Sequence, residues 1–136
     1  MPDSSKPTCR VVRPTDAYAG KQGLNYFAGV SAETVGATGL CMHLVTIPPG
    51  ARAKAHLHAA HETAVYILSG ASRTWFGDRL EHCVDMMAGE MMYIPAGVPH
   101  LPANIGDVPC TALLARTDPN EQESVVLRPD LDALVT

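Results

Sequence analysis

Eleven glycines and eleven prolines are spread over the whole 136-residue chain. Glycine weakens regular structure through its conformational freedom, and proline through its fixed φ and missing N–H. No stretch before residue 118 sustains a 3.6-residue apolar period over three turns. Turn signals fall at Pro48-Pro49-Gly50, Ser69-Gly70, Phe76-Gly77-Asp78, Ala88-Gly89, Pro95-Ala96-Gly97 and Ile105-Gly106-Asp107. Between them lie strand-like runs at Leu24–Val30, Leu40–Ile47, Ala64–Leu68, Ala71–Phe76, Cys83–Met87, Met91–Ile94 and Cys110–Arg116. Short strands at this spacing predict an all-β sandwich or barrel. Ser124–Leu127 reads as a last strand, and Pro129 opens a short C-terminal helix. The whole of 1–136 reads as one domain, with residues 1–20 as a polar N-terminal arm.

Composition narrows the partners. Hydrophobic residues make up 46% of the chain and charged residues 18%, enough apolar material for a core. The net charge of −4 argues against nucleic acid and against an anionic membrane as partners. No apolar run approaches the ~20 residues of a membrane span. The N-terminus, Met-Pro-Asp-Ser-Ser-Lys, carries no apolar signal segment, so the expected location is the cytoplasm. Cys9, Cys41, Cys83 and Cys110 are far apart and form no C-x-x-C pair. They are expected as free thiols, mostly buried as small hydrophobes.

Three of the six histidines fall within Lys54-Ala55-His56-Leu57-His58-Ala59-Ala60-His61-Glu62. On a strand, residues i and i+2 share a face, so His56 and His58 present two imidazoles side by side. Imidazole suits zinc, copper, iron and nickel. Glu62 has the parity of the two histidines and offers a carboxylate.

Two longer patterns enclose these residues. The first is Gly50-x5-His56-x-His58-x3-Glu62, followed by Gly70; the second is Gly89-x5-Pro95-x-Gly97-x2-His100-x3-Asn104. They resemble the two motifs of the cupin superfamily, with eighteen residues between Gly70 and Gly89, and the resemblance covers about residues 40–116. It implies an antiparallel jelly-roll barrel. It also implies one divalent transition-metal ion per chain (Mn, Fe, Ni or Zn), held by His56, His58, Glu62 and His100. The first motif departs from the family at one point. Seven residues, not six, separate Glu62 from Gly70, so counting back from Gly70 puts Thr63 at the acid position. Either a bulge near Ser69 absorbs the extra residue and leaves Glu62 on the metal, or His56, His58 and His100 form the site and His61 or Glu62 completes it.

The remaining candidates have smaller roles. His61 is expected at the mouth or behind a ligand. Tyr66 shares the parity of Glu62 and is expected to point inward, as a core tyrosine with its hydroxyl satisfied or as a pocket residue near the metal. His43 is a buried or pocket-lining residue, and His82 lies in an exposed polar turn. Met42, Met86, Met87, Met91 and Met92 are expected in the core. Gly50, Gly70, Gly89 and Gly97 suit turns, and Asn104 braces one. A metal bound this way implies an enzyme acting on a small organic molecule, an oxidoreductase of dioxygenase type. A non-catalytic small-ligand or metal-binding module and a metal-dependent isomerase or lyase are the other readings, since the fold does not choose among them. A homodimer is expected, because an open jelly-roll sheet leaves an edge and an apolar face to cover.

Overall fold

The computed structural model describes residues 6–13, 17–19, 23–120 and 124–135. The strands follow the Gly/Pro punctuation. They are β1 (Ala17–Ala19), β2 (Asn25–Val30), β3 (Cys41–Ile47), β4 (His56–His58), β5 (Thr63–Ser69) and β6 (Ala71–Phe76). After them come β7 (His82–Met87), β8 (Met91–Ile94), β9 (His100–Ala103), β10 (Cys110–Arg116) and β11 (Val125–Leu127). Among the described residues, helix is confined to two single turns, α1 (Ala32–Val35) and α2 (Pro129–Asp132). Ser31 caps α1 with a reciprocal Ser31–Thr34 pair, and Gly36 ends it in the left-handed region. Pro129 opens α2 as expected. No helix among the described residues is long and apolar enough to cross a membrane.

The strands form two antiparallel sheets, as the turn spacing predicts. One runs β1-β2-β3-β10-β5-β8 and the other β11-β4-β9-β6-β7. Alternation along the long strands shows which face is inside. Cys41, His43, Val45 and Ile47 of β3 are buried, while Met42, Leu44 and Thr46 face out. The main core lies between the sheets and includes Tyr26, Val45, Ile47, Ile67, Met86 and Ala112. A smaller cluster lies outside the five-stranded sheet. There Leu131 of α2 and Val135 pack with Leu101 and Ala103. The C-terminus thus covers the outer side of one sheet.

Several expectations need correction. Only Met86 and Met92 pack with the core; Met42, Met87 and Met91 are exposed. All four cysteines are free, but Cys9 and Cys83 are exposed. Of the N-terminal arm, 1–5, 14–16 and residue 20 lie outside the described residues. Residues 6–13 are irregular chain, and Ala17–Ala19 pair with β2. Asn104 does brace its turn. Its Nδ2 donates to the carbonyls of Ile47 (2.9 Å) and Val108 (2.7 Å), and its Oδ1 accepts from Gly106 N.

Gly70 turns the chain between β5 and β6 with φ +78°. A Cβ there would run into the Pro109 carbonyl oxygen and lie 2.9 Å from Cys110 Cα, both backbone atoms that cannot swing aside. Gly70→Ala is therefore expected to cost roughly 2–3 kcal/mol, read as a fall in Tm of several degrees. Gly89, with φ +92° and nothing within 4 Å of its would-be Cβ, is the control. Gly89→Ala carries only the backbone cost of about 1 kcal/mol. Equal Tm losses for the two would show that the contact with Pro109 does not matter.

Candidate metal centre

His56 and His58 occupy alternate positions of β4, so both rings lie on the inner face. His100 opens β9 and is the direct cross-strand partner of His56. Chain-distant motifs thus meet through one antiparallel pairing. The three side chains are buried, and one ligand nitrogen from each lies within 4.8 Å of the others. Ring centroids are 4.3 Å apart for His56–His100, 5.2 Å for His56–His58 and 5.3 Å for His58–His100.

Hydrogen bonds set the tautomers. His56 Nδ1 donates to the Lys54 carbonyl at 2.6 Å, and His100 Nδ1 donates to the Val98 carbonyl at 3.0 Å. A carbonyl only accepts, so both protons sit on Nδ1 and both Nε2 lone pairs are free to bind a cation. Nδ1 of His58 is buried with no hydrogen-bond partner. Burial holds all three rings neutral. It lowers the pKa of His56 to about 4 and that of His100 to about 3, His100 also feeling His56. His58 falls to about 2, first through burial and then through the neighbouring histidines and Arg116. Three neutral, oriented, buried imidazoles with one orphaned nitrogen fit a borderline divalent metal ion.

Glu62 does not join them. Its side chain is exposed, and its Oε2 accepts a 2.6 Å hydrogen bond from Tyr93 OH on β8. The same-face argument fails because β4 ends at His58. Residues 59 and 60 bend the chain, and β5 starts at Thr63 in the other sheet, which resets the alternation. A register shift does occur near Ser69, between Thr111 and Ala112 of the paired strand. It lies beyond Ile67, so it leaves Thr63, Val65 and Ile67 pointing inward and Glu62 and Ala64 outward. Thr63 is buried, with its Oγ1 unpartnered. Tyr66 has the parity of Glu62, as expected, but that parity is the outer one; Tyr66 lies between Leu113 and Met91.

His61 is buried in the bend before β5, its ring centroid 4.6 Å from that of His58. Its Nδ1 is 2.9 Å from Ser124 Oγ and its Nε2 has no partner, yet it stands outside the three-nitrogen group. His43 is buried and lines the same cavity, outside the three-nitrogen group. Its Nδ1 is 3.7 Å from Cys41 Sγ, and burial followed by the charge of Arg116 lowers its pKa to about 3. His82 is exposed against Phe76, as expected.

The three histidines line a cavity between the sheets with about 70 Å³ of water-accessible volume. That is room for a handful of water-sized groups. Its walls are mostly apolar, and the polar lining includes Thr63 and the buried Arg116. The Arg116 Nη2 donates to the Asn120 carbonyl at 3.2 Å and lies 3.5 Å from Cys41 Sγ. Arg116 did not stand out by spacing to any motif. Its signal was parity, since Cys110, Ala112 and Leu114 are the inward residues of β10 and Arg116 continues that series.

Comparison with known proteins agrees with this architecture. The model of the cupin domain matches residues 43–116, more than half of the chain. The chain belongs to the cupin family. Among solved structures, the cupin fold recurs in oxalate decarboxylase of Bacillus subtilis, with a TM-score of 0.65 and 24% identity over 85% of this chain and 30% of that one. The Lactobacillus farciminis oxalate decarboxylase formate complex gives a TM-score of 0.70 and 19% identity over 89% of this chain and 36% of that one. A protein named as a sugar phosphate isomerase, from Acidithiobacillus ferrooxidans, gives 0.59 and 23% over 74% and 65%. This chain spans about a third of the decarboxylase chains, and likeness at these identities establishes the fold alone. No curated protein matches the sequence.

Proposed function

We propose that this cupin is a metal-dependent oxidoreductase of dioxygenase type acting on a small organic molecule. The observation that carries the proposal is a set of three neutral imidazoles facing a small, largely apolar cavity whose lining, among the described residues, contains no carboxylate. His56, His58 and His100 would hold iron or manganese. When bound, such an ion polarises a coordinated oxygen group and exchanges electrons with dioxygen. Because only three side chains would hold the ion, it would keep room for a small oxygen-bearing ligand from the cavity.

The rest falls to the chain's own groups. The Lys54 and Val98 carbonyls fix the rings of His56 and His100, so the binding nitrogens are oriented before anything enters. The apolar walls exclude water and match the hydrocarbon part of a substrate. Thr63 Oγ1 and the Arg116 guanidinium offer the donors that orient its oxygen atoms.

The competing isomerase or lyase chemistry would need a proton-moving group at the cavity, where His43, Tyr26 and Cys110 stand. An isomerase or lyase moves protons through a group that titrates near the working pH. His43 is held neutral with a pKa of about 3, and Tyr66 faces away from the cavity.

The test is an oxygen-uptake assay on protein purified without air and loaded with Fe(II) or Mn(II), run over enolic, phenolic and thiol substrates. Dioxygen should be consumed one-to-one with substrate, and isotopically heavy dioxygen should leave both its atoms in the product, with no added reductant. Turnover that continues without oxygen would favour an isomerase or lyase. Tight metal with no turnover on any substrate would favour a binding module.

A further inference from the structure

We propose that a second cavity beside the histidine cluster holds a single aromatic ring, whose oxygen-bearing substituent reaches into the inner cavity, a class of substrate that presupposes the metal centre proposed above. The strand order β4-β9-β6 sets His56 on one flank of His100 and Phe76, its partner on β6, on the other. On the Phe76 flank lies a pocket of about 190 Å³. Thr74, Met92, Ile94 and His100 line both this pocket and the inner cavity. The lining also includes the exposed Tyr93 and Pro95, so the pocket joins the surface to the histidine cluster.

Size divides the two rooms. An apolar cavity of about 150 Å³ is enough to take up benzene. The inner cavity, at about 70 Å³, is too small for a ring and has room only for a short substituent. The outer pocket, at about 190 Å³, takes one six-membered ring and little more. Two fused rings exceed it.

Chemistry divides them the same way. Phe76, Met92, Ile94, Pro95 and Val98 give the outer pocket an apolar wall, and among the described residues no Asp, Glu, Lys or Arg lines it. Its polar hydrogens are largely committed. Tyr93 OH donates to Glu62 at 2.6 Å, and His100 Nδ1 donates to the Val98 carbonyl at 3.0 Å. A charged or strongly polar group seated there would lose water and find little in return. The Phe76 ring and the Met92 thioether favour an aromatic ring over a saturated one. The inner cavity holds the contrasting set: three imidazoles, Thr63 and Arg116. A molecule that satisfies both rooms carries its oxygen atoms at one end and an uncharged aryl group at the other. Thr74, common to the two linings, stands at the passage between them.

Fluorine NMR with para-fluorophenol as the probe tests the assignment. The metal-free chain should bind it saturably, and cyclohexanol should compete several-fold more weakly. Val98→Phe fills the pocket and should weaken the probe by more than about tenfold. Phe76→Val enlarges it and should raise the affinity of a fluorinated naphthol about tenfold relative to the single-ring probe. It keeps the test open if circular dichroism shows that the Val98 variant does not fold. On Mn(II)-loaded protein the bound probe should show paramagnetic broadening that Zn(II)-loaded protein lacks, since the two rooms adjoin. No saturable binding by the metal-free chain would overturn the proposal. So would wild-type affinity in a folded Val98→Phe, a naphthol preference unmoved by Phe76→Val, or a bound probe that Mn(II) does not broaden. Equal affinity for cyclohexanol would overturn the choice of an aromatic ring. A chain that takes up no Mn(II) yet binds the probe, and loses it with Val98→Phe, would sink the metal reading and leave the ring site standing.

Discussion

Replacing His58 or His100 by alanine should abolish stoichiometric metal, whereas Glu62→Ala should leave it nearly unchanged. Each histidine contributes one of three nitrogens gathered within 4.8 Å, and among the described residues none of the three has a substitute at that distance. Losing one leaves a two-nitrogen site, and affinity for Mn(II) or Co(II) should fall by far more than the 10–100-fold seen when a supporting residue is removed. Glu62 is exposed and bonded to Tyr93, so Glu62→Ala should shift affinity by less than about threefold. His61→Ala lies between these. It removes the ring packed on His58 and vacates the Ser124 contact, and should weaken binding about tenfold. Metal analysis of the purified variants and calorimetric titration give all four values. If Glu62→Ala loses metal as completely as His58→Ala, the carboxylate must swing inward on binding and the three-histidine reading fails. If the wild type takes up no divalent metal, the proposed chemistry fails with it.

The fold was legible because its cues are local. The runs Ala71–Phe76, Met91–Ile94 and Cys110–Arg116 became β6, β8 and β10 with the same ends, each bounded by turn residues. Strand β9 was missed because Pro102 sits in its middle, a residue that normally argues against a strand. Helix α1 was passed over as well. A Ser31-x-x-Thr34 cap before one turn of chain is too short to show any period.

The site was legible in part for the same reason. Alternation placed His56 and His58 correctly because they lie on one unbroken strand. It misplaced Glu62 and the face of Tyr66, because parity was carried across a bend where the chain changes sheets. The count from Gly70 pointed to Thr63, and that count ran along the strand in which Thr63 actually lies. Parity with Cys110, Ala112 and Leu114 put Arg116 on the inner face of β10, but a strand pattern alone does not say that a charge stays buried at that position, which is a property of the assembled sheets.

Metal-free protein should unfold in mild acid, and bound metal should move that transition to lower pH. His43, His56, His58 and His100 all have folded pKa values below the ordinary 6.5, at about 3, 4, 2 and 3, each chiefly through burial. Below pH 6.5 the unfolded chain takes up protons that the folded chain refuses. Their contribution is therefore complete above pH 6.5 and is lost progressively as the pH falls toward the folded values of about 4 to 2. At pH 5 each group has cost about 2 kcal/mol, and the four together about 8 kcal/mol. That rivals the whole stability of an ordinary domain, about 5–15 kcal/mol. The transition should accordingly be steep and lie between about pH 6 and 4.5. A metal ion at 100 times its Kd adds about 2.7 kcal/mol to the folded state. Against a slope of about 5.4 kcal/mol per pH unit from four groups, that lowers the midpoint by about half a unit. Metal release in acid then follows unfolding, and not the titration of free imidazoles near pH 6.5. Circular dichroism and the fluorescence of Trp75, followed against pH with and without Mn(II), measure both midpoints. Metal-free protein that stays folded to pH 4 would show that these rings accept protons in place, in an interior far wetter than the sheets describe.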